Sequence, residues 1–422
     1  MKKITKLSLT ALAAAMLFTG CSKKVSAPTT VEIWHTYTGS QAATLNDTAE
    51  RFNASQKKYI VEVKNQDYAG FADTVYNAVA NGIGPSIIFN YGTTAVDYAN
   101  EGLGVNIKKY IDRDNKKGDK FMQQLIDSLP VEMKTDVLGF EDGGIYYLPG
   151  CTTGPVFFYN KTIFDELGLN PPANWNEVAE ISKTIYEKKG IRGFHSDGLV
   201  DNIQNLIMIN GLGYIDVPGK RVTFCTPKLE EIYQWYADNC KKGYFTLNTF
   251  GRYSSEDLAN GDIASFSGSC ANDQYIKMVE GKGELGMAKW IANGYYTAWN
   301  RGPIFLHRND AVDEGAYEFI KFFLNPENAA KWAIANSALC PYGTSANVPE
   351  YVEYLNNLPS TSALPYVQAN MQDSVSFPNV TGSAAVRKIL EENLNYVVDG
   401  KMTAKEAVAA IEKQCNDALN GR

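Results

Sequence analysis

The residues that ordinarily carry catalysis are sparse in this chain. Its three histidines, His35, His195 and His307, are widely separated and none belongs to an HExxH segment. No GxSxG elbow and no Walker loop occurs, so neither an activated serine nor a phosphate-cradling lysine is signalled. Glu141 and Asp142 are adjacent acids before a glycine. Sugar hydrolysis needs two carboxyls flanking one bond, whereas neighbours on a turn point different ways, so this pair reads as a solvated turn. What recurs instead is a mixture of aromatic and small polar side chains: Trp34-His35-Thr36-Tyr37, Asp67-Tyr68, Asn90-Tyr91-Gly92-Thr93, Cys151-Thr152-Thr153-Gly154, Ser265-Phe266-Ser267-Gly268-Ser269 and Trp299-Asn300-Arg301-Gly302. Aromatic faces cover the C–H patches of a polyhydroxy compound, while amides and hydroxyls match its O–H groups. Any one of these rings alone is more often core or interface than a ligand contact; their shared placement is what points to binding.

That placement follows from the elements around them. Short β-branched or aromatic runs alternate with amphipathic helices, an α/β pattern. Residues 31–34 read as a first strand, followed by a helix capped near Ser40 with Ala42, Leu45, Ala49 and Phe52 on one face. Residues 60–63 and 86–89 read as further strands around a helix that stops at Gly82, and residues 145–148 and 156–159 as strands near a crossing. Asn160 is placed to cap a helix ending at Gly168, and another helix ends at Gly190. Asn325-Pro326-Glu327 restarts a helix with a cap, an N1 proline and an early acid, and Thr403-Ala404-Lys405-Glu406 is a capping box. The aromatic and polar loops thus follow predicted strands, where open α/β sheets hold ligands.

The ends and the charge narrow the class. Lys2, Lys3 and Lys6 precede an apolar run at residues 7–18, too short for a stable span, and Thr19-Gly20-Cys21 follows. Residues 1–20 are therefore expected to be a lipoprotein signal peptide, Cys21 the lipidated residue, and residues 21–30 a tether. Without those lysines the 40 basic residues become 37 against 47 acidic ones, a net of −10, which argues against nucleic acid as a partner. About 400 residues exceed one ordinary core, so two lobes are expected. Apart from Cys21, the six cysteines are scattered without CxxC spacing, and their pairing stays open.

Six segments occur in the order of one family. Trp34-His35-Thr36-Tyr37-Thr38-Gly39 with Arg51-Phe52-Asn53, then Gly84-Pro85-Ser86-Ile87, then Phe158-Tyr159-Asn160-Lys161, resemble its N-terminal, third-strand and "YYNK" segments. Pro171-Pro172-Ala173-Asn174-Trp175-Asn176-Glu177, Asn260-Gly261-Asp262-Ile263-Ala264 and Asn325-Pro326-Glu327-Asn328-Ala329-Ala330 complete the set. Together they resemble the family-1 extracellular solute-binding proteins of sugar ABC importers, closest to the glycerol-3-phosphate-binding branch. The resemblance implies a type II periplasmic-binding-protein-like fold in which each lobe is a β-sheet flanked by helices and a cleft lies between the lobes. Residues 31–142 plus 303–337 are expected to form the N-terminal lobe and 152–298 plus 340–422 the C-terminal lobe. Hinge crossings fall at 143–151, 299–302 and 338–339. The implied role is non-enzymatic: a monomeric receptor, anchored through Cys21 on the outer side of a bacterial membrane, that closes on a solute and delivers it to an ABC permease, with no cofactor and no metal.

Carried over residue by residue, the branch's ligand-contacting tyrosine falls on Tyr68, its acid on Asn90, its serine pair on Thr152 and Thr153, a further serine on Ser267 or Ser269, and its crossover glycine on Gly302. Trp34, Tyr37, Tyr91 and Trp299 join them as aromatic candidates. The branch's phosphate-clamping arginine falls near Val380, and no arginine lies between Arg308 and Arg387. Without a fork donor a phosphate is poorly held, so a neutral mono- or oligosaccharide or polyol is the leading expectation. Glycerol-3-phosphate, a glycerophosphodiester or another anionic polyol is the alternative. Arg301 would decide the charge if it reached the cleft, and equally reads as paired with an acid at the hinge surface. A surface glycan hydrolase, an adhesin and a metal-ion receptor on the same fold are the remaining readings.

Overall fold

The computed structural model describes residues 27–67, 70–247 and 253–421. The predicted leader, Cys21 and Tyr68 lie outside the described residues. Eleven strands are numbered along these segments. The first four are β1 (Thr29–His35), β2 (Tyr59–Asn65), β3 (Ile87–Asn90) and β4 (Cys151–Thr153). Next come β5 (Pro155–Asn160), β6 (His195–Ser196), β7 (Ile215–Asp216) and β8 (Arg221–Val222), then β9 (Ser265–Ser269), β10 (Leu285–Ala288) and β11 (Trp299–Phe305).

One sheet has the order β2-β1-β3-β11-β4 and another β10-β5-β9-β6, while β7 and β8 form a small ribbon. In the first sheet β1 runs parallel to β2 and β3, and β11 runs antiparallel to β3 and β4. Alternation explains β1 directly: Val31, Ile33 and His35 are buried and the residues between them are less so. Each sheet has its own core. Val31, Ile33, Ile87, Phe89, Ile304 and Phe319 belong to one apolar cluster; Val156, Phe158, Phe194, Phe266, Leu390 and Ile411 belong to another. The chain is therefore two-lobed α/β, with helices covering both sheets.

Three segments pass between the sheets. β4 and β5 belong to different sheets and are separated by Gly154 alone, whose missing side chain admits the Tyr296 hydroxyl; a Cβ there would lie 2.1 Å from it. β11 pairs with β4 through Trp299–Arg301 and with β3 through Gly302–Phe305. The third returns at Leu339, whose backbone exchanges hydrogen bonds of 2.8 and 2.9 Å with Thr152.

Local signals account for most helix ends. The Asn160 and Asn325 side chains accept from the N–H groups of Ile163 and Asn328, Gly190 closes its helix in the left-handed region, and Thr403 with Glu406 forms the capping box. Residues 145–148 depart from the expected strand. Tyr146 and Leu148 bond to the backbone of β11, yet only Tyr147 and Ile304 form a bridge. Pro303 has no N–H to continue a ladder, so the pairing stays irregular. No helix among the described residues is long and apolar enough to cross a membrane.

Candidate functional site

A cleft of about 400 Å³ lies between the two sheets. From the first sheet's side it is lined by Tyr91, Gly92 and Thr93, which lead from β3 into the helix Gly92–Asn100, and by Asp136 on the helix Val131–Leu138. From the second side come Asp197 and Gly198 after β6, Asp201 on the helix Leu199–Ile209, Ser269 at the end of β9, Asn272, and Tyr253. Trp299 and Asn300 of β11 form the floor. The segment at 375–379 forms the rim: its Val375 N–H donates to Tyr296 at 2.8 Å, Phe377 packs 4.5 Å from the Tyr214 ring, and the Asn379 amide donates to the Asp136 carbonyl at 2.8 Å.

The expected residues divide between cleft and interior. Tyr91, Ser269 and Trp299 line the cleft. Asn90 stands just behind it, its side-chain oxygen accepting from the Tyr91 N–H at 2.9 Å. Thr152 is fully buried and donates to Asn300 Oδ1 at 2.8 Å, while Thr153 pairs with Trp299 in the sheet. Ser267 is also buried and donates to the Ser196 hydroxyl at 2.8 Å. Trp34 donates its indole N–H to Glu32 on its own strand. Tyr37 is part of the core, with ring centroids 5.1 Å from Trp332 and 5.8 Å from Phe89. Gly302 is enclosed by backbone rather than by solvent: a Cβ there would lie 1.9 Å from the Leu148 carbonyl oxygen.

Arg301 is turned into the first lobe. Its guanidinium carbon sits 4.9 Å from the Tyr37 ring centroid and its Nε donates to the Phe89 carbonyl at 3.2 Å. Among the described residues, the cation that lines the cleft is Arg387, on the helix Ser383–Val398. Its NH2 group donates to Asp201 at 2.9 Å and its NH1 group to Gln204. Burial disfavours its charge, but the Asp201 carboxylate outweighs burial and holds the guanidinium above its usual range. An arginine has five N–H donors; among the described residues, these two hydrogen bonds engage two of them. In the sequence Arg387 looks like the wet edge of a helix whose buried stripe is Val386, Leu390, Leu394 and Val397. Nothing in that periodicity marks it as facing a cleft.

The acids lining the cleft were also missed. Burial pushes the Asp136 carboxyl up to about 6, opposed by hydrogen bonds from Asn300 and Ser376. A free aspartate titrates near 3.9, so the folded state holds this proton more tightly. The stability this confers is fully present below about pH 4 and is lost as pH rises through about 6. Asp136→Asn is therefore expected to be more stable than wild type by about 1–2 kcal/mol at pH 8 and no different at pH 4. Denaturant midpoints at both pH values would show it, and parallel pH profiles would refute it.

Burial pushes the thiols of Cys151, Cys270 and Cys340 up to about 12. Among the described residues no three His, Cys, Asp or Glu side chains are grouped to hold a metal.

Comparison with known proteins places this architecture. The glycerol-3-phosphate-binding periplasmic protein UgpB of Salmonella typhimurium is 26% identical over 434 residues, spanning 97% of this chain and 96% of its own. Among solved structures, a substrate-binding protein of Listeria monocytogenes in complex with cycloalternan superposes with a TM-score of 0.78 at 17% identity, over 93% of this chain and 99% of its own. UgpB of Mycobacterium tuberculosis in complex with glycerophosphocholine gives 0.76 at 17% identity, over 94% and 99%. These structures share the type II periplasmic-binding fold. A model of the bacterial extracellular solute-binding proteins matches residues 47–357, about three quarters of the sequence, and the chain belongs to that family.

Proposed function

We propose that this protein is the receptor for a phosphorylated polyol or glycerophosphodiester, captured in the cleft by lobe closure and passed to an ABC permease. The family already gives the coarser role, an extracytoplasmic solute-binding protein of an ABC transporter, and its members are transport receptors rather than catalysts. The observation that carries the finer reading is Arg387, a guanidinium lining the cleft with donors beyond those the described residues engage. Two features support it. Gly92 and Thr93 open the helix Gly92–Asn100 at the opposite wall, and a helix N-terminus favours an anion. The UgpB relatives, by their names, bind sn-glycerol-3-phosphate. Tyr91, Trp299 and Phe377 would cover the carbon skeleton, and Ser269 and Asn300 would meet hydroxyls. Closure would bend the crossings at 143–151, 299–302 and 338–339 between the lobes at 31–142 plus 303–337 and 152–298 plus 340–422. The test is calorimetric titration with sn-glycerol 3-phosphate, glycerophosphocholine and maltose. Micromolar or tighter binding of a phosphate compound that weakens with salt is expected; tight maltose binding with no heat from either phosphate would overturn the reading.

The mature chain would work as a monomer held at the membrane by lipidated Cys21, since two or more acyl chains give stable anchoring where one does not. Cys21→Ser is expected to move the protein from the membrane to the soluble fraction without changing its ligand affinity. Intact mass of the wild-type protein without an added diacylglycerol would contradict this anchor.

A further inference from the structure

Within the phosphorylated-polyol reading, we infer that Asp197 is the residue that selects a hydroxylated solute, accepting O–H groups from the wall opposite the one where the family resemblance places an acid. The resemblance puts that acid at position 90, but this chain has Asn90, and its side-chain oxygen is occupied by the Tyr91 N–H at 2.9 Å. Asp197 lies on the second sheet's side, at the end of β6, exposed to the cleft it lines. Its carboxylate is fixed from both sides: Oδ1 accepts from the Ser254 N–H at 3.3 Å and Oδ2 from the Asn272 amide at 2.9 Å. Its own N–H donates to the Ser267 carbonyl at 2.9 Å. A carboxylate offers about four acceptor positions, and the described residues occupy two of them, which leaves about two, already oriented, for a ligand.

The surroundings are built to leave the group there. Gly268 faces it, and a Cβ at that position would lie 2.7 Å from Asp197 Oδ2 and 2.6 Å from the Asn272 amide nitrogen. Beneath it, the buried His195 and Ser254 side chains are hydrogen-bonded to each other, which fixes the backbone whose N–H holds Oδ1. Four residues on, Asp201 holds Arg387. The Arg387 and Asp197 contacts therefore arise on one lobe, and Tyr91, Gly92 and Thr93 would meet the same solute from the other.

The full mature chain is titrated calorimetrically with sn-glycerol 3-phosphate, propyl phosphate, which lacks both hydroxyls, and maltose. Wild type is expected to prefer glycerol 3-phosphate to propyl phosphate by at least about 10-fold. Asp197→Asn should weaken glycerol 3-phosphate by about 10- to 100-fold and leave propyl phosphate within about 3-fold. Asn272→Ala, which frees Oδ2 without removing it, should cause a smaller loss at an unchanged melting temperature, separating positioning from unfolding. An Asp197→Asn protein that melts as wild type and keeps the preference for glycerol 3-phosphate overturns the assignment. If wild type takes maltose and neither phosphate, the phosphate reading fails by itself. Asp197→Asn then decides the carboxylate's role on maltose, supporting it by an equal loss and overturning it by none. Wild type that binds none of the three overturns both.

Discussion

Replacing Arg387 by Met is expected to lower affinity for sn-glycerol 3-phosphate or glycerophosphocholine by at least about 100-fold, because a charge-assisted hydrogen bond contributes about 1.5–3 kcal/mol and a guanidinium offers several. The substitution also has a cost unrelated to ligand. Asp201 is 6% exposed and Arg387 is its ion-pair partner at 2.9 Å, so truncating the arginine strands a buried carboxylate. Such a break costs about 3–5 kcal/mol of stability, whereas replacing both members by apolar groups is often close to neutral. The double variant Arg387→Met/Asp201→Leu should therefore recover most of the stability and none of the binding. Arg387→Lys should fall between, since an ammonium keeps the charge but loses the planar fork. Calorimetry for affinity and denaturant unfolding for stability separate the two effects. A stable double variant that binds the phosphate compounds as wild type does would remove Arg387 from the site.

The contrast between Arg301 and Arg387 shows what the sequence could and could not reveal. Strands, caps and lobe-forming periodicities are local properties, so β1, β5, the Asn160 cap and the Thr403 capping box were readable from neighbouring residues. The direction of a long side chain is not local. Arg301 sits at a crossing beside cleft residues, yet its side chain turns toward Tyr37 and Phe89, while Trp299 and Asn300 line the cleft. Arg387 is in a helix far along the chain, and only the tertiary packing of that helix against Leu199–Ile209 brings it beside Asp201. Thr152 and Ser267 illustrate the reverse case. Hydroxyls at the right place in the chain were absorbed by Asn300 and Ser196, because a buried polar group must find a partner. Asp136 and Asp197 have no sequence signature, since a lone acid in a loop or helix is ordinarily a solvated one.

Gly302→Ala is expected to be the most destabilising single methyl group that can be added near the cleft. The residue pairs with Asn90 across the first sheet, and its Cα faces the turn at 148–150. A Cβ would lie 1.9 Å from the Leu148 carbonyl oxygen, 2.5 Å from the Gly150 nitrogen and 2.9 Å from the Pro149 carbonyl carbon. All three are backbone atoms, so no rotamer change relieves the overlap. The turn must move, and with it the Gly150 N–H bond to the Arg301 carbonyl at 3.0 Å, next to the join of β4 and β11. Ordinary overpacking costs about 1–3 kcal/mol; displacing two backbone segments at once should exceed that, at about 4 kcal/mol. Gly343→Ala is the matched control: it has open space around its Cβ position and should change stability by less than about 0.5 kcal/mol. Urea midpoints of the two variants give the comparison. Because the strained joint is also a proposed hinge, a folded Gly302→Ala protein should additionally show a shifted lobe angle by small-angle scattering. Wild-type stability and an unchanged scattering profile would mean that the turn yields without disturbing either sheet.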